Sequence, residues 1–213
     1  MELKQNTGRK KIYGTYAAIL IPLGVAINYI GSMTALTLTL PFFLDSIGTV
    51  IVAAIMGPWM GAISGFLYNL IMAMTQGDLL QTLFGLCNVA TGLIVGFAVR
   101  HGKFKTIWNL VLVTLLVTIA NTIIGSAVAV YVFGGIAGGT GGQNVLVGLV
   151  IATVKDVFSA QLLTSFPINL IDKGFGIAIG WLILSRLPDN MKTLSGAKLE
   201  DAPGKKTAKS QQD

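Results

Sequence analysis

Long apolar blocks separated by short polar breaks set the pattern of this chain. In the densest stretch, Leu40 to Thr75, two apolar segments of about fifteen residues each meet at Gly57-Pro58-Trp59, which reads as two short membrane helices with a tight turn. Upstream, Ile12 to Tyr29 forms a first span, with Pro22 as an internal kink. Gly31 to Pro41 is uncharged and Thr-rich, alternates near Leu36–Leu40, and reads as an external loop with extended character. Phe43 to Met56 and Trp59 to Met74 are spans two and three, and Thr75 to Leu79 is a polar loop. Leu80 to Val99 and Trp108 to Phe133 are spans four and five. Gly134 to Asn144 holds six glycines, has little helix tendency, and predicts a flexible external loop.

Val145 to Arg186 is too long for one span and too short for two separated ones. A break is expected at Ser165-Phe166-Pro167, because the residue before a proline leaves the helical region. Residues 145–166 then form an amphipathic or re-entrant helix on the external side, and 167–186 the sixth span. The expected fold is an all-α integral membrane protein, a six-helix transmembrane bundle with that additional external helix before the last span. Residues 1–11 read as a disordered basic arm, 12–187 as the membrane domain, and 188–213 as a disordered polar tail.

Composition agrees with this pattern. With 53% hydrophobic and 11% charged residues, the chain has too little charge to cover a soluble surface. The net charge of +6 is concentrated before the first span (Lys4, Arg9, Lys10, Lys11), in the mid-chain loop (Arg100, Lys103, Lys105), and from Arg186 onward. This is a positive-inside distribution rather than a nucleic-acid footprint, and it places both termini in the cytoplasm of a multi-pass cell-membrane protein. The single Cys87 has no partner for an intrachain disulfide. No small-x-small cleavage site follows the first apolar run, so it is not read as a cleaved signal.

Candidate chemistry lies in polar residues within or beside the apolar spans, where they are expensive to keep. Asp45 opens span two, as an N-cap, as a ligand contact at the external mouth, or as both. Asn69, Asn88 and Asn121 lie within spans three, four and five, suited to interhelical hydrogen bonds, with Asn88 alternatively a pocket floor and Asn121 open to either role. Thr75, Gln76, Asp78 and Gln81 cluster at the outer end of spans three and four, Asp78 in a solvated loop. Lys155 and Asp156 form the most informative pair, binding a polar ligand or facing water. Asp172 and Lys173 fall in the first turns of span six, where Asp172 suits a helix N-terminus.

Small residues recur four apart at Gly14/Ala18, Gly57/Gly61/Gly65, Gly92/Gly96 and Gly176/Gly180, as in close-packed bundles or on a smooth docking face. No P-loop, HExxH or Asp-rich phosphate motif is present, and His101 sits in the basic loop, so no enzyme, metal or cofactor is expected. Uphill transport would have to draw on a partner or an ion gradient.

Three stretches resemble the substrate-binding (S) components of energy-coupling factor vitamin transporters. They are PFFLDSIGTVIVAAIMGPWMGAISGFLYNLI (41–71), the loop ahead of it, and FPINLIDKGFGIAIGWLILSRLP (166–188). The resemblance implies a subunit that binds a vitamin or related micronutrient with high affinity near its external face. It also implies docking on a shared transmembrane scaffold carrying two ATPase subunits. The implied ligand region maps onto Asp45, Gln81, Asn88, Asn121, Lys155 and Asp156. The family often carries an AxxxA docking motif on span one, and the nearest match here is Gly14-x-x-x-Ala18. A membrane ligand sensor or a stand-alone secondary carrier is the alternative. A sensor would need a cytoplasmic effector, and a carrier would need internal repeats and a mid-membrane ion site.

Overall fold

A backbone in hydrocarbon must satisfy its amides and carbonyls internally, and helices do this within a single segment. The computed structural model describes residues 2–135, 141–192 and 194–196, and these are all-helical, with no strand among them. The helices are α1 (Glu2–Thr37), α2 (Ile47–Met56), α3 (Pro58–Gln76), α4 (Gly85–Arg100), α5 (Ile107–Tyr131), α6 (Gly141–Val154), α7 (Val157–Arg186) and the short α8 (Asp189–Lys192). A 3₁₀ turn, Leu79–Phe84, leads into α4.

Four helical stretches are long and apolar enough to cross a membrane: Tyr13–Thr37, Leu79–Arg100, Ile107–Tyr131 and Val157–Arg186. Large apolar side chains such as Ile19, Leu23, Ile123, Leu149 and Ile171 point outward, a surface that suits lipid and would aggregate in water. On α5, Trp108 and Tyr131 are 79% and 78% exposed at opposite ends of the helix. At 1.5 Å per residue they stand roughly 35 Å apart, close to the spacing of the two interfaces of a bilayer. The chain is thus an all-α, membrane-embedded protein.

α2 is the axis of the bundle. Every residue from Gly48 to Met56 is buried, and α1, α3, α4 and α7 surround it. A helix apolar on all sides belongs in such a position. It ends at Gly57, whose φ of 93° and ψ of −179° lie in territory that essentially only glycine occupies, and Pro58 then starts α3. The four-residue glycine spacing is used inside the bundle. Gly61 faces Ala53, Gly92 faces Gly61 and Ala62, Gly96 faces Gly57 and Pro58, and Gly180 faces Val50. Gly14 meets nothing within 4 Å, and both it and Ala18 are exposed.

The two ends of the bundle differ. Near Gly57 it is dry: Val50, Ala53, Val95, Val99, Phe104, Val113 and Leu184 form one apolar cluster, and Ile51, Val52, Ile55 and Met56 another. Basic residues gather at this end. Arg100 Nε donates to the Ser195 carbonyl at 2.6 Å, and Tyr13 donates to the Met56 carbonyl at 2.8 Å. The opposite end holds the segment between α1 and α2, the 3₁₀ turn, and α6.

Several boundaries differ from the sequence expectation. The helix begins at Glu2 in the arm expected to be disordered, and continues through Pro22 and most of the expected 31–41 loop to Thr37. Ser32 and Ala35 are buried, so tertiary contact carries the uncharged segment on as helix until Thr39, whose φ is 51°. Gly141 and Gly142, assigned to the flexible loop, open α6, while 136–140 lie outside the described residues. The break expected at Ser165-Phe166-Pro167 lies instead at Lys155-Asp156. Lys155 has a φ of 57° after the last turn of α6, and Asp156 caps α7, which runs unbroken through Pro167. Beyond α7, α8 and Ser195 are ordered against the bundle where a disordered tail was expected, and 197–213 lie outside the described residues.

Candidate functional site

A buried ion cluster stands where α7 passes the start of α2. Lys173 Nζ lies 2.9 Å from Asp45 Oδ1, 2.7 Å from Asp172 Oδ2 and 3.1 Å from Ser46 Oγ, so all three ammonium hydrogens are used. Asp172 Oδ1 accepts the Leu44 amide at 2.8 Å, at a residue with a φ of 52°. The cluster therefore holds the irregular 38–46 segment in place against α7. Asn88 Nδ2 reaches the Asp45 carbonyl and Oδ2, both at 3.3 Å, and the Phe43 ring centroid lies 5.4 Å from the ammonium. Lys173 and Asp172 are buried at 2% and 3%, whereas the Asp45 side chain is 20% exposed. A buried charge this well paired survives because removing either partner costs far more than the pair itself gains.

Asp45 does not cap α2. Ser46 occupies the N-cap but its side chain makes no capping bond, and the free amides are served from α1. Asn28 Oδ1 accepts from Gly48 N at 2.7 Å and Thr49 N at 3.4 Å, while its amide donates to Thr49 Oγ1 at 2.8 Å. Asp45 is thereby left to the ion pair.

Beside this cluster is a cavity of about 160 Å³. Its wall is drawn from α1, the 38–46 segment, α3, the 3₁₀ turn, α4, α5, α6 and α7. Seven carboxamides face it, Asn69, Gln76, Gln81, Asn121, Gln143, Gln161 and Asn169, together with the Asp45–Lys173 pair and the rings of Phe43, Tyr68 and Phe84. So many amides from separate helices make a surface built to hydrogen-bond, where a packing core would use aliphatic side chains. Many are fixed by protein bonds. Asn121 Nδ2 donates to Thr91 Oγ1 at 2.9 Å and to the Val117 carbonyl at 3.0 Å. Asn69 Nδ2 donates to the Gly65 carbonyl at 2.9 Å, and Asn169 Nδ2 to Thr122 Oγ1 at 3.3 Å. Gln161 Nε2 reaches the Gly135 carbonyl at 2.6 Å, and Gln143 Nε2 the Ser165 hydroxyl at 3.0 Å.

Of the residues singled out in the sequence, Asp45, Asn69, Gln76, Gln81, Asn121 and Lys173 line the cavity, and Asn88 stands just behind Asp45. Lys155 and Asp156 do not line it. Both are exposed at the α6–α7 junction, where Asp156 Oδ2 accepts the Ser159 amide at 2.7 Å. Asp172 and Lys173, expected in the first turns of a span, sit in the middle of α7 because the helix starts at Val157. They complete the ion cluster, while Gln143, Gln161 and Asn169 line the cavity and were not singled out as site residues from the sequence. The only signal available was that a Lys or Gln within an apolar helix needs a partner somewhere.

Hydrogen bonds from the Ser159 hydroxyl and amide hold Asp156 below the ordinary carboxylate range. A depressed pKa in the folded state stabilises above the unfolded value, near pH ~4, and this contribution disappears as pH falls through the depressed value. Asp156→Ala is expected to speed amide exchange in the first turn of α7 at neutral pH. The difference from wild type should close below pH ~4, once intrinsic exchange rates are corrected.

No family model, curated protein or solved structure matches the chain.

Proposed function

We propose that this protein is the substrate-binding subunit of an energy-coupling-factor-type importer for a vitamin or related micronutrient. The observation that carries the reading is the partly open, amide-rich cavity confined to one half of an otherwise dry bundle, at the end away from the Arg100 cluster. The positive-inside rule puts that cavity on the external side, where an importer would meet its ligand. In this reading the chain spans the cell membrane six times with both termini in the cytoplasm. α1, α3, the 3₁₀ turn with α4, α5 and α7 each cross, and α2 completes its crossing through the 38–46 segment. Ten residues of α2 extend only ~15 Å, and irregular backbone at membrane depth is tolerated where protein surrounds it.

With no ATP-binding motif in the sequence, the subunit would depend on a transmembrane scaffold and two ATPase subunits. The exposed Gly14–Ala18 face of α1 is the candidate docking surface for the scaffold. Uptake of a labelled vitamin panel, measured in a host with and without the scaffold and ATPases, tests the reading. Binding in both hosts with accumulation only in the complete one supports it. Accumulation by the chain alone would instead mark a secondary carrier.

A further inference from the structure

We infer that the cavity selects an uncharged or cationic planar nitrogen heterocycle rich in N–H donors, oriented by Asp45, and rejects phosphorylated or carboxylated forms. This deepens the proposed function and rests on its reading of the cavity as the ligand site.

The first observation is charge. Lys173 is the only cationic residue among the described residues that line the cavity, and Asp45, Asp172 and Ser46 take all three of its hydrogens. With two carboxylates around one ammonium, the formal charge of the cluster is 1 − 2 = −1. An anionic ligand would enter a site with no free cation and a net negative wall, in a medium that screens poorly.

The second observation is hydrogen-bond polarity. Asn69, Asn121 and Asn169 turn their NH₂ groups onto protein acceptors, and among the described residues no donor reaches their Oδ1 atoms. All three residues line the cavity. Asp45, the one partly open member of the cluster, adds a carboxylate to the same wall. This part of the wall, from α3, α5, α7 and Asp45, presents acceptors, and its complement there is a molecule that brings donors.

The third observation is shape. Phe43, Tyr68 and Phe84 face the same space, and Phe84 is itself backed by Phe133 with ring centroids 5.6 Å apart. Flat aromatic walls match a flat ring system.

The test is binding of matched probes to the full chain in lipid nanodiscs. The pairs are thiamine and thiamine monophosphate, riboflavin and its monophosphate, and pyridoxamine and its phosphate, with biotin and pantothenate as carboxylates. The expected result is that at least one unphosphorylated heterocycle binds, and ~100-fold or more tighter than its phosphate, as unpaired buried charge demands. Asp45→Asn should weaken a cationic probe by ~10-fold or more while affecting a neutral one less. Wild-type discrimination carries the test should that variant fold poorly. A phosphate or carboxylate probe binding as tightly as its neutral partner would overturn the inference and leave the binding-subunit reading standing. Absence of binding across the panel also overturns it. Were no compound retained on purification or taken up in the complete host either, the underlying reading would fall too.

Discussion

Lys173→Met is expected to destabilise the protein by about 3–5 kcal/mol, the cost of leaving a buried charge without its partner. At the size of this domain that corresponds to a fall in Tm on the order of 10 °C. The variant leaves Asp45 and Asp172 facing each other with nothing between them, and frees the Leu44 segment that Asp172 positions. Ligand retention should fall with it, since the same segment walls the cavity. The triple variant Asp45→Asn, Asp172→Asn, Lys173→Met removes all three charges together and should recover most of the lost stability. Thermal unfolding of the purified protein in detergent, followed by tryptophan fluorescence, measures both. Equal melting of wild type and Lys173→Met would mean that the cluster does not hold the bundle together.

A comparable loss is expected from adding a single methyl group at Gly48 or Gly96. A Cβ on Gly48 would run into the Gly24 backbone, with its carbonyl oxygen, carbonyl carbon and Cα all in the way. A Cβ on Gly96 would meet the Pro58 ring nitrogen and Cα at the α2–α3 turn. Neither neighbour is a flexible side chain, so whole helices must separate. Overpacking of this kind costs about 1–3 kcal/mol, and the upper end is expected where backbone meets backbone. Gly14→Ala is the control. Its Cβ meets nothing within 4 Å, and alanine's helix preference makes the change neutral or stabilising. Comparing the melting of the three variants separates glycines that pack inside the bundle from one that does not. If Gly14→Ala also abolished uptake while leaving stability and ligand binding intact, the exposed α1 face would be implicated in docking.

The apolar segmentation was readable in the sequence because it is local. The break at Gly57 and the four-residue spacing of Gly61, Gly92 and Gly96 are displayed by any window of the chain, whereas the central place of α2 comes only with its neighbours. Asp45 and Asn121, which line the cavity, were singled out for the same reason, each being a polar group in an apolar run. What failed was local rules meeting tertiary contact. Pro167 did not end its helix, because α7 packs along α5 from Leu162 and Leu163 before it to Asn169 and Gly174 after it. Asp156, with Ser159 three residues on, was an available N-cap signal that the proline obscured. The Thr-rich segment after Tyr29 stayed helical because the 38–46 segment, at Leu44 against Gly31, and α3, at Tyr68 against Ser32, cover one side of it. Lys173 was read as a helix-end residue because its partner Asp45 is 128 residues away. The carboxamides of the cavity come from α3, the 3₁₀ turn, α5, α6 and α7, and no window of sequence holds more than a few of them.

Native mass spectrometry of the protein released gently from membranes tests the central claim most directly. One small molecule of vitamin size is expected to be retained per chain, and lost from the Lys173→Met variant. A wild-type protein that carries no small molecule, and takes up none from a vitamin panel added at micromolar concentration, would contradict it.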